Sequence, residues 1–304
     1  SSLGNCRALP RMTALATAGF TWAEALSINP GGIIVGRFYP SGDNCPRAFK
    51  WTGGSTLIQL PSLAADAAAR DIGPDGRIVG ECKGVYASGQ YPAGFTRATL
   101  WDAWGNAKDL GSLAGSDQTK HSFAYAVNAS GRIVGKSQTA SGSAYKGYRT
   151  QSANPTIDGN TDLLNTLVEA LDINDLDEVV GSNGSRGYIV LGHGPVAAAS
   201  IELFNWVGYA YTGVQAINNQ GVVIGWRYSP YWSANIPVVW WNYASGGYPY
   251  DLSPTVENPN YLPITIVGGG SWTLVNVLGI NDANWIVGWG YKNGQIRAFL
   301  LKPA

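Results

Sequence analysis

Val127-Asn128-Ala129-Ser130-Gly131-Arg132-Ile133-Val134-Gly135 decides the fold, because the chain repeats this pattern six times. An apolar residue and an Asn lead into a turn, and an apolar pair and a closing Gly follow. The other copies are INPGGIIVG at 28–36, IGPDGRIVG at 72–80, INDLDEVVG at 173–181, INNQGVVIG at 217–225 and INDANWIVG at 280–288. Their closing glycines stand at 36, 80, 135, 181, 225 and 288, so the intervals are 44, 55, 46, 44 and 63 residues. A period of this size marks a stack or ring of supersecondary units.

Each copy reads as a β-hairpin. Gly and Asn accept positive φ at little steric cost, and sequences such as Asn-Pro-Gly-Gly close tight turns. The β-branched run after each turn suits a buried strand. A small residue stands four positions before the Asn (Ala25, Ala69, Ala124, Ala170, Val214, Val277), as crowded innermost strands require. A third strand follows, for example RAFKW at 47–51 and RATLW at 97–101, and then a fourth, as in TLIQL at 56–60 and DLGSL at 109–113.

Four strands per unit predict an all-β, six-bladed β-propeller with four antiparallel strands per blade. It forms a single domain over 1–304, with blades near 22–60, 64–113, 121–158, 166–204, 210–252 and 271–302. The last unit stops after its third strand, and residues 11–19 resemble the fourth strand at 109–115. The N-terminal strand is therefore expected to complete the last blade and close the ring, which removes exposed edges. An open β-solenoid is the alternative.

These motifs resemble the extracellular repeats of the HAF family: A-x-x-I-N-x-x-G-x-I-V-G, then His or Arg before A-F-x-W, then D-L-G-x-L. The likeness runs over nearly all of 11–302. It implies a propeller-like fold and secretion or surface display, and says little about ligand or chemistry. The family's His is Arg or Lys here in five blades (Arg47, Arg97, Lys146, Arg186, Arg297), which argues against a role carried over from it. A cation recurring once per blade is read as bonding loop carbonyls.

Composition narrows the function. With 20 Lys+Arg against 20 Asp+Glu the formal net charge is zero, which removes the broad attraction that nucleic-acid and anionic-membrane binders use. No run of 18 apolar residues exists, so no membrane span is expected. Abundant Gly (40), Trp (12) and Tyr (16), with few charges, fit an extracellular protein, expected as a monomer. No cofactor is expected. Asn281-Asp282 and Asn174-Asp175-Leu176-Asp177 look like calcium-loop fragments but lack the ligand spacing.

In a propeller the short Asn turns share one face, and the longer loops after each Val-Gly share the other. That second face is rich in aromatics: Tyr91, the run Trp226-Arg227-Tyr228 to Tyr231-Trp232, Trp272, Trp289 and Tyr291. Rings beside planar polar groups are what sugars need, because C–H faces stack on rings and hydroxyls take hydrogen bonds. The competing reading is that these rings pack blade against blade. For chemistry, His121 begins the inner strand of blade 3 and is the candidate acid or base. Glu24 and Glu169 share a register in blades 1 and 4 and form a candidate carboxylate pair across the channel. Asp71 and Asp172 share another register. Cys45 and Cys82 fall in equivalent loops of adjacent blades and are the expected disulfide, with Cys6–Cys45 the runner-up.

The sequence therefore points to a secreted propeller that binds carbohydrate or polysaccharide on its long-loop face. A polysaccharide lyase or glycoside hydrolase at the channel mouth is the alternative, and a surface-displayed protein-interaction module the second. The concentration of aromatics in blades 2, 5 and 6 favours one specialised site.

Overall fold

The computed structural model describes residues 20–303, apart from 55, 64–65, 84–93, 152–155, 193–198, 204–210, 242–248, 253–263 and 267–271. Its elements are strands. Blade 1 holds β1 (Phe20–Ile28), β2 (Ile34–Pro40), β3 (Arg47–Trp51) and β4 (Ile58–Gln59). Blade 2 holds β5 (Asp66–Ile72), β6 (Ile78–Lys83), β7 (Thr96–Trp101) and β8 (Ala107–Asp109). Blade 3 holds β9 (Ser122–Val127), β10 (Ile133–Gln138), β11 (Tyr145–Arg149) and β12 (Leu163–Leu164). Blade 4 holds β13 (Glu169–Ile173), β14 (Val179–Ser182), β15 (Gly187–Val190) and β16 (Ser200–Glu202). Blade 5 holds β17 (Thr212–Ile217), β18 (Val223–Ser229), β19 (Ala234–Trp240) and β20 (Tyr250–Asp251). Blade 6 holds β21 (Ile264–Ile266), β22 (Trp272–Ile280), β23 (Ile286–Lys292) and β24 (Gln295–Pro303). The six antiparallel four-stranded sheets surround a common axis, and the fold is the six-bladed β-propeller that the repeat predicts. Among the described residues no helix is long and apolar enough to cross a membrane.

The sixth blade departs from the expected pattern. Its described outermost strand is β21, which comes from upstream and pairs with β24 from Ile264↔Pro303 to Ile266↔Leu301. The 63-residue interval before the last closing Gly carries the extra chain that supplies it. Residues 11–19, expected in that blade, lie outside the described residues.

The repeated glycine and asparagine each have a physical cause. Every inner strand carries a β-bulge just before its turn, so that the register skips one residue: Leu26, Arg70, Tyr125, Leu171, Gln215 and Leu278. The bulge lays an inner-strand carbonyl over the closing Gly of the second strand. A Cβ at Gly36, Gly80, Gly135, Gly181, Gly225 or Gly288 would overlap the carbonyl oxygen of Glu24, Ala68, Phe123, Glu169, Gly213 or Asn276 respectively. The Asn acts twice. Its Oδ1 accepts the amide four residues on, as from Arg132 to Asn128 (3.0 Å) and from Val222 to Asn218 (2.9 Å). Its Nδ2 donates to the next blade's turn: Asn29 to the Gly73 carbonyl, Asn128 to Asn174, Asn174 to Asn218 and Asn218 to Asn281. Blade 2 has Gly73 in place of the Asn. There Asp75 Oδ1 accepts the Arg77 amide, and the Arg77 guanidinium packs over Gly131 of blade 3.

The core lies between blades. Among the described residues five buried clusters join blades 1 and 2, 2 and 3, 3 and 4, 4 and 5, and 5 and 6. The cluster between blades 2 and 3, for example, combines Val79, Leu100 and Leu110 with Ala124, Ile133 and Tyr148.

Candidate functional site

The six bulges aim one side chain per blade at the axis. Leu26, Arg70, Tyr125, Leu171, Gln215 and Leu278 line a cavity of about 780 Å³ that also takes in the Asn turns. The cavity therefore belongs to the short-turn face, opposite the face on which the aromatics sit. Asp71 and Asp172 line it too. Asp71 accepts from the Ser27 hydroxyl (2.6 Å) in blade 1 and from the Val127 amide (2.9 Å) in blade 3. Asp172 accepts from the Ile217 amide (2.9 Å) in blade 5 and from Ile173 (2.8 Å). Burial pushes the Asp172 carboxyl up to about 7, against the pull of the Ile217 amide, and the neighbouring Asp71 charge adds to the rise. Burial raises Asp71 as well. Each acid ties its blade to the next.

Ion pairs cluster on the inner and second strands of blades 1 to 4. Arg70 makes a two-pronged contact with Glu81 (2.6–3.0 Å). The Lys136 ammonium lies 5.3–5.7 Å from the ring centres of Phe123, Tyr125 and Tyr145 and bonds Glu169 of blade 4 at 3.1 Å. Burial raises the Tyr125 hydroxyl pKa, although the Lys136 charge opposes it. The Lys136 pKa is raised by Tyr125 and Glu169, which overcome its desolvation. Sequence reasoning did not single out Arg70, Tyr125 or Lys136. The available signal was the residue after the closing Gly, which is charged in three successive blades (Arg37, Glu81, Lys136).

The expected catalytic residues are not brought together. His121 sits between blades 2 and 3, outside the residues that line the cavity. Its Nδ1 accepts the Thr96 amide at 3.0 Å, and its ring lies 5.1 Å from Phe95 and 6.5 Å from Phe123. That acceptor role places the proton on Nε2 of the neutral ring. Burial, with the Lys83 and Arg97 charges, lowers its pKa and keeps it neutral. Neither nitrogen then offers a free lone pair to abstract a proton. Glu24 is held by Arg37 (Nε 3.0 Å, Nη2 2.9 Å), and Glu169 by Lys136.

The cysteine expectation is corrected. Cys45 and Cys82 are free thiols. Cys82 is buried in the core between blades 1 and 2, where the Ser62 hydroxyl donates to its Sγ at 3.6 Å. Cys45 stays at the loop rim, where Asp66 raises its thiol pKa. An inward-facing strand position and a rim loop do not bring the two sulfurs together. Cys6 lies outside the described residues.

The acidic turns that look like calcium-loop fragments are spent on blade-to-blade bonds. Asp175 accepts from Ala129 and Asn219, and Asp282 accepts from Asn219. Among the described residues no group of three or more His, Cys, Asp or Glu side chains is gathered to hold a metal ion. The recurring cations bond as expected at Arg97, which donates to the Lys120 carbonyl (2.7 Å), and at Lys146, which donates to Asn165 (3.3 Å).

The aromatic face divides into anchors and exposed rings. Arg227, expected to face a ligand, is fully buried and grips Asp251 with two 2.8 Å bonds, so it braces the β18–β19 hairpin instead. The Trp226 ring covers the place that a side chain at Gly213 would fill. Trp272 packs edge-on to Phe299, with the Lys292 ammonium 5.4 Å from its ring centre, and Trp289 is half-buried. Two exposed rings are at the β18–β19 hairpin tip. Tyr231 and Trp232 are 66% and 52% exposed and meet edge to face at 5.1 Å. The Trp232 amide is held by the Ser229 hydroxyl, and Tyr211 stands edge-on to Tyr228 beside them. Tyr291 is exposed in blade 6. Tyr91 lies outside the described residues.

No protein-family model matches the chain, and no curated protein matches it.

Proposed function

We propose that this propeller is extracellular, as its HAF-like repeats suggest, and that it is a carbohydrate-binding module that takes a polysaccharide on the long-loop face of blade 5. One observation carries the reading: two exposed, adjacent rings, Tyr231 and Trp232, stand at the tip of a hairpin that the buried Arg227–Asp251 ion pair anchors. Two large aromatic side chains held in water cost solvation unless a partner covers them, and a braced tip offers them without ordering entropy at binding. Flat rings set edge to face present a stacking surface to the C–H face of a sugar. Binding without cleavage is favoured because His121 has no free lone pair and Glu24 and Glu169 are each consumed by a cation.

Affinity electrophoresis in gels containing neutral and acidic polysaccharides tests this. One polysaccharide should retard the protein, and Trp232→Ala should abolish the retardation while leaving the unfolding midpoint within the error of wild type. Retardation that survives both Trp232→Ala and Tyr231→Ala overturns the assignment of the site. New reducing ends, or absorbance of an unsaturated uronate in the same incubations, would replace a binding module with a hydrolase or a lyase. No retardation by any polysaccharide would leave a protein partner as the reading to pursue.

A further inference from the structure

The axial cavity is a second concave site, and neither Tyr231 nor Trp232 lines it. At about 780 Å³ it falls within the usual size of a small-molecule pocket, about 300–1,000 Å³. From blade 1 to blade 6 the bulge residue is Leu26, Arg70, Tyr125, Leu171, Gln215 and Leu278. Blades 2 and 5 of a six-membered ring stand across the axis from each other. Arg70 and Gln215 therefore occupy opposite walls, with Tyr125 and Leu171 on one side and Leu26 and Leu278 on the other.

Both of these polar side chains keep groups that the fold does not use. Glu81 takes Nε and Nη2 of Arg70 and leaves Nη1 without a partner among the described residues. The half-buried Gln215 carboxamide has no partner among them either. The repeat does not require a glutamine at this position, since three other blades place leucine there. A half-buried polar group that bonds nothing in its own fold calls for an explanation, and a ligand supplies one.

The charges select the class of that ligand. A cation finds the acids already engaged: each of the four carboxylate oxygens of Asp71 and Asp172 accepts a donor from the protein. It also meets the Arg70 charge. An anion meets Asp71 and Asp172, and Arg70 is already neutralised by Glu81. An uncharged molecule avoids both penalties. Its oxygens can accept from Arg70 Nη1 and from the Gln215 carboxamide, and a hydroxyl can in turn donate to the Gln215 oxygen. The three leucines favour a body with C–H faces between its polar edges.

We propose that the axial cavity binds one neutral monosaccharide, with hydroxyls at opposite edges of the sugar ring bonding Arg70 Nη1 and the Gln215 carboxamide and its C–H faces lying on Leu26, Leu171 and Leu278. The Tyr125 and Trp285 rings also line the cavity and add flat surfaces against which a sugar packs. This site does not rest on the polysaccharide site of blade 5, because the two stand on opposite faces of the ring.

Saturation-transfer NMR and titration calorimetry on the full chain test the assignment. The probes are glucose, galactose, mannose and xylose, with glucuronate and glucosamine as the anionic and cationic counterparts. At least one neutral sugar should bind, and more tightly than either charged one. Gln215→Leu, which installs the residue that three other blades use, should weaken that binding about fivefold or more and leave the unfolding midpoint unchanged. Trp232→Ala should leave the monosaccharide affinity as it is. Binding of none of the four neutral sugars, or full affinity in Gln215→Leu, overturns the proposal. Tighter binding of glucuronate or glucosamine overturns it in favour of a charged ligand. Loss of binding in Trp232→Ala overturns it by placing the sugar on blade 5.

Discussion

Replacing Gly135 by Ala tests the physical cause of the repeat. The added Cβ would overlap the Phe123 carbonyl oxygen and come within 2.9 Å of the Tyr148 hydroxyl. Neither neighbour can yield cheaply. The Phe123 carbonyl is fixed by the bulge and accepts the Tyr148 hydroxyl at 2.9 Å, and Tyr148 is fully buried. Relief requires the inner strand to move on the order of 1 Å, which is overpacking at a cost of about 1–3 kcal/mol. The same movement strains the bond between Tyr148 and Phe123, and a buried polar group left unpaired costs about 1–3 kcal/mol more. The expected loss is therefore about 4 kcal/mol, measured by urea unfolding with the m-value held constant. Gly142→Ala is the control: it lies in the turn after β10, with the nearest atom 4.0 Å away, and should fall within about 0.5 kcal/mol of wild type. A Gly135→Ala protein as stable as the control would refute the claim that the bulge carbonyl dictates the glycine.

Further outcomes follow from the charges and thiols. Asp172 binds its proton more tightly folded (pKa about 7) than unfolded (3.8), so its contribution is fully present below pH 4 and is lost as pH rises through 7. Asp172→Asn should remove this pH dependence, so that its stability rises relative to wild type as pH goes from 5 to 8, on top of a pH-independent loss because the Asn NH2 must face one of the two backbone N–H donors; parallel pH dependences in urea would contradict this. Arg227→Met leaves the buried Asp251 carboxylate without its cation and should cost about 3–5 kcal/mol in the same assay. Under native conditions an alkylating reagent should modify Cys45 and spare Cys82 until the protein unfolds, and labelling of Cys82 in the folded protein would show that its core position is wrong.

Much of the fold was legible because a propeller repeats its local chemistry. Turn residues, β-branched runs and small inner-strand residues recur in register, so six weak signals add to one strong one. The candidate site was less legible, and Arg227 shows why. Its position beside Trp226, Tyr228, Tyr231 and Trp232 suggests a ligand contact, yet its partner Asp251 stands 24 residues away on another strand. Glu24 and Glu169 match in register but face cations, Arg37 and Lys136, that sequence spacing does not pair with them.

By itself the sequence determined that the chain is all-β and has six units. Those properties depend on local backbone preference and on period, which neighbouring residues encode. The tertiary structure alone decided which residue each bulge turns toward the axis, which carboxylates are held by cations, and that Cys45 and Cys82 stay apart. These depend on the meeting of strands distant in sequence, where a shift of one residue in register sends a side chain to the other face.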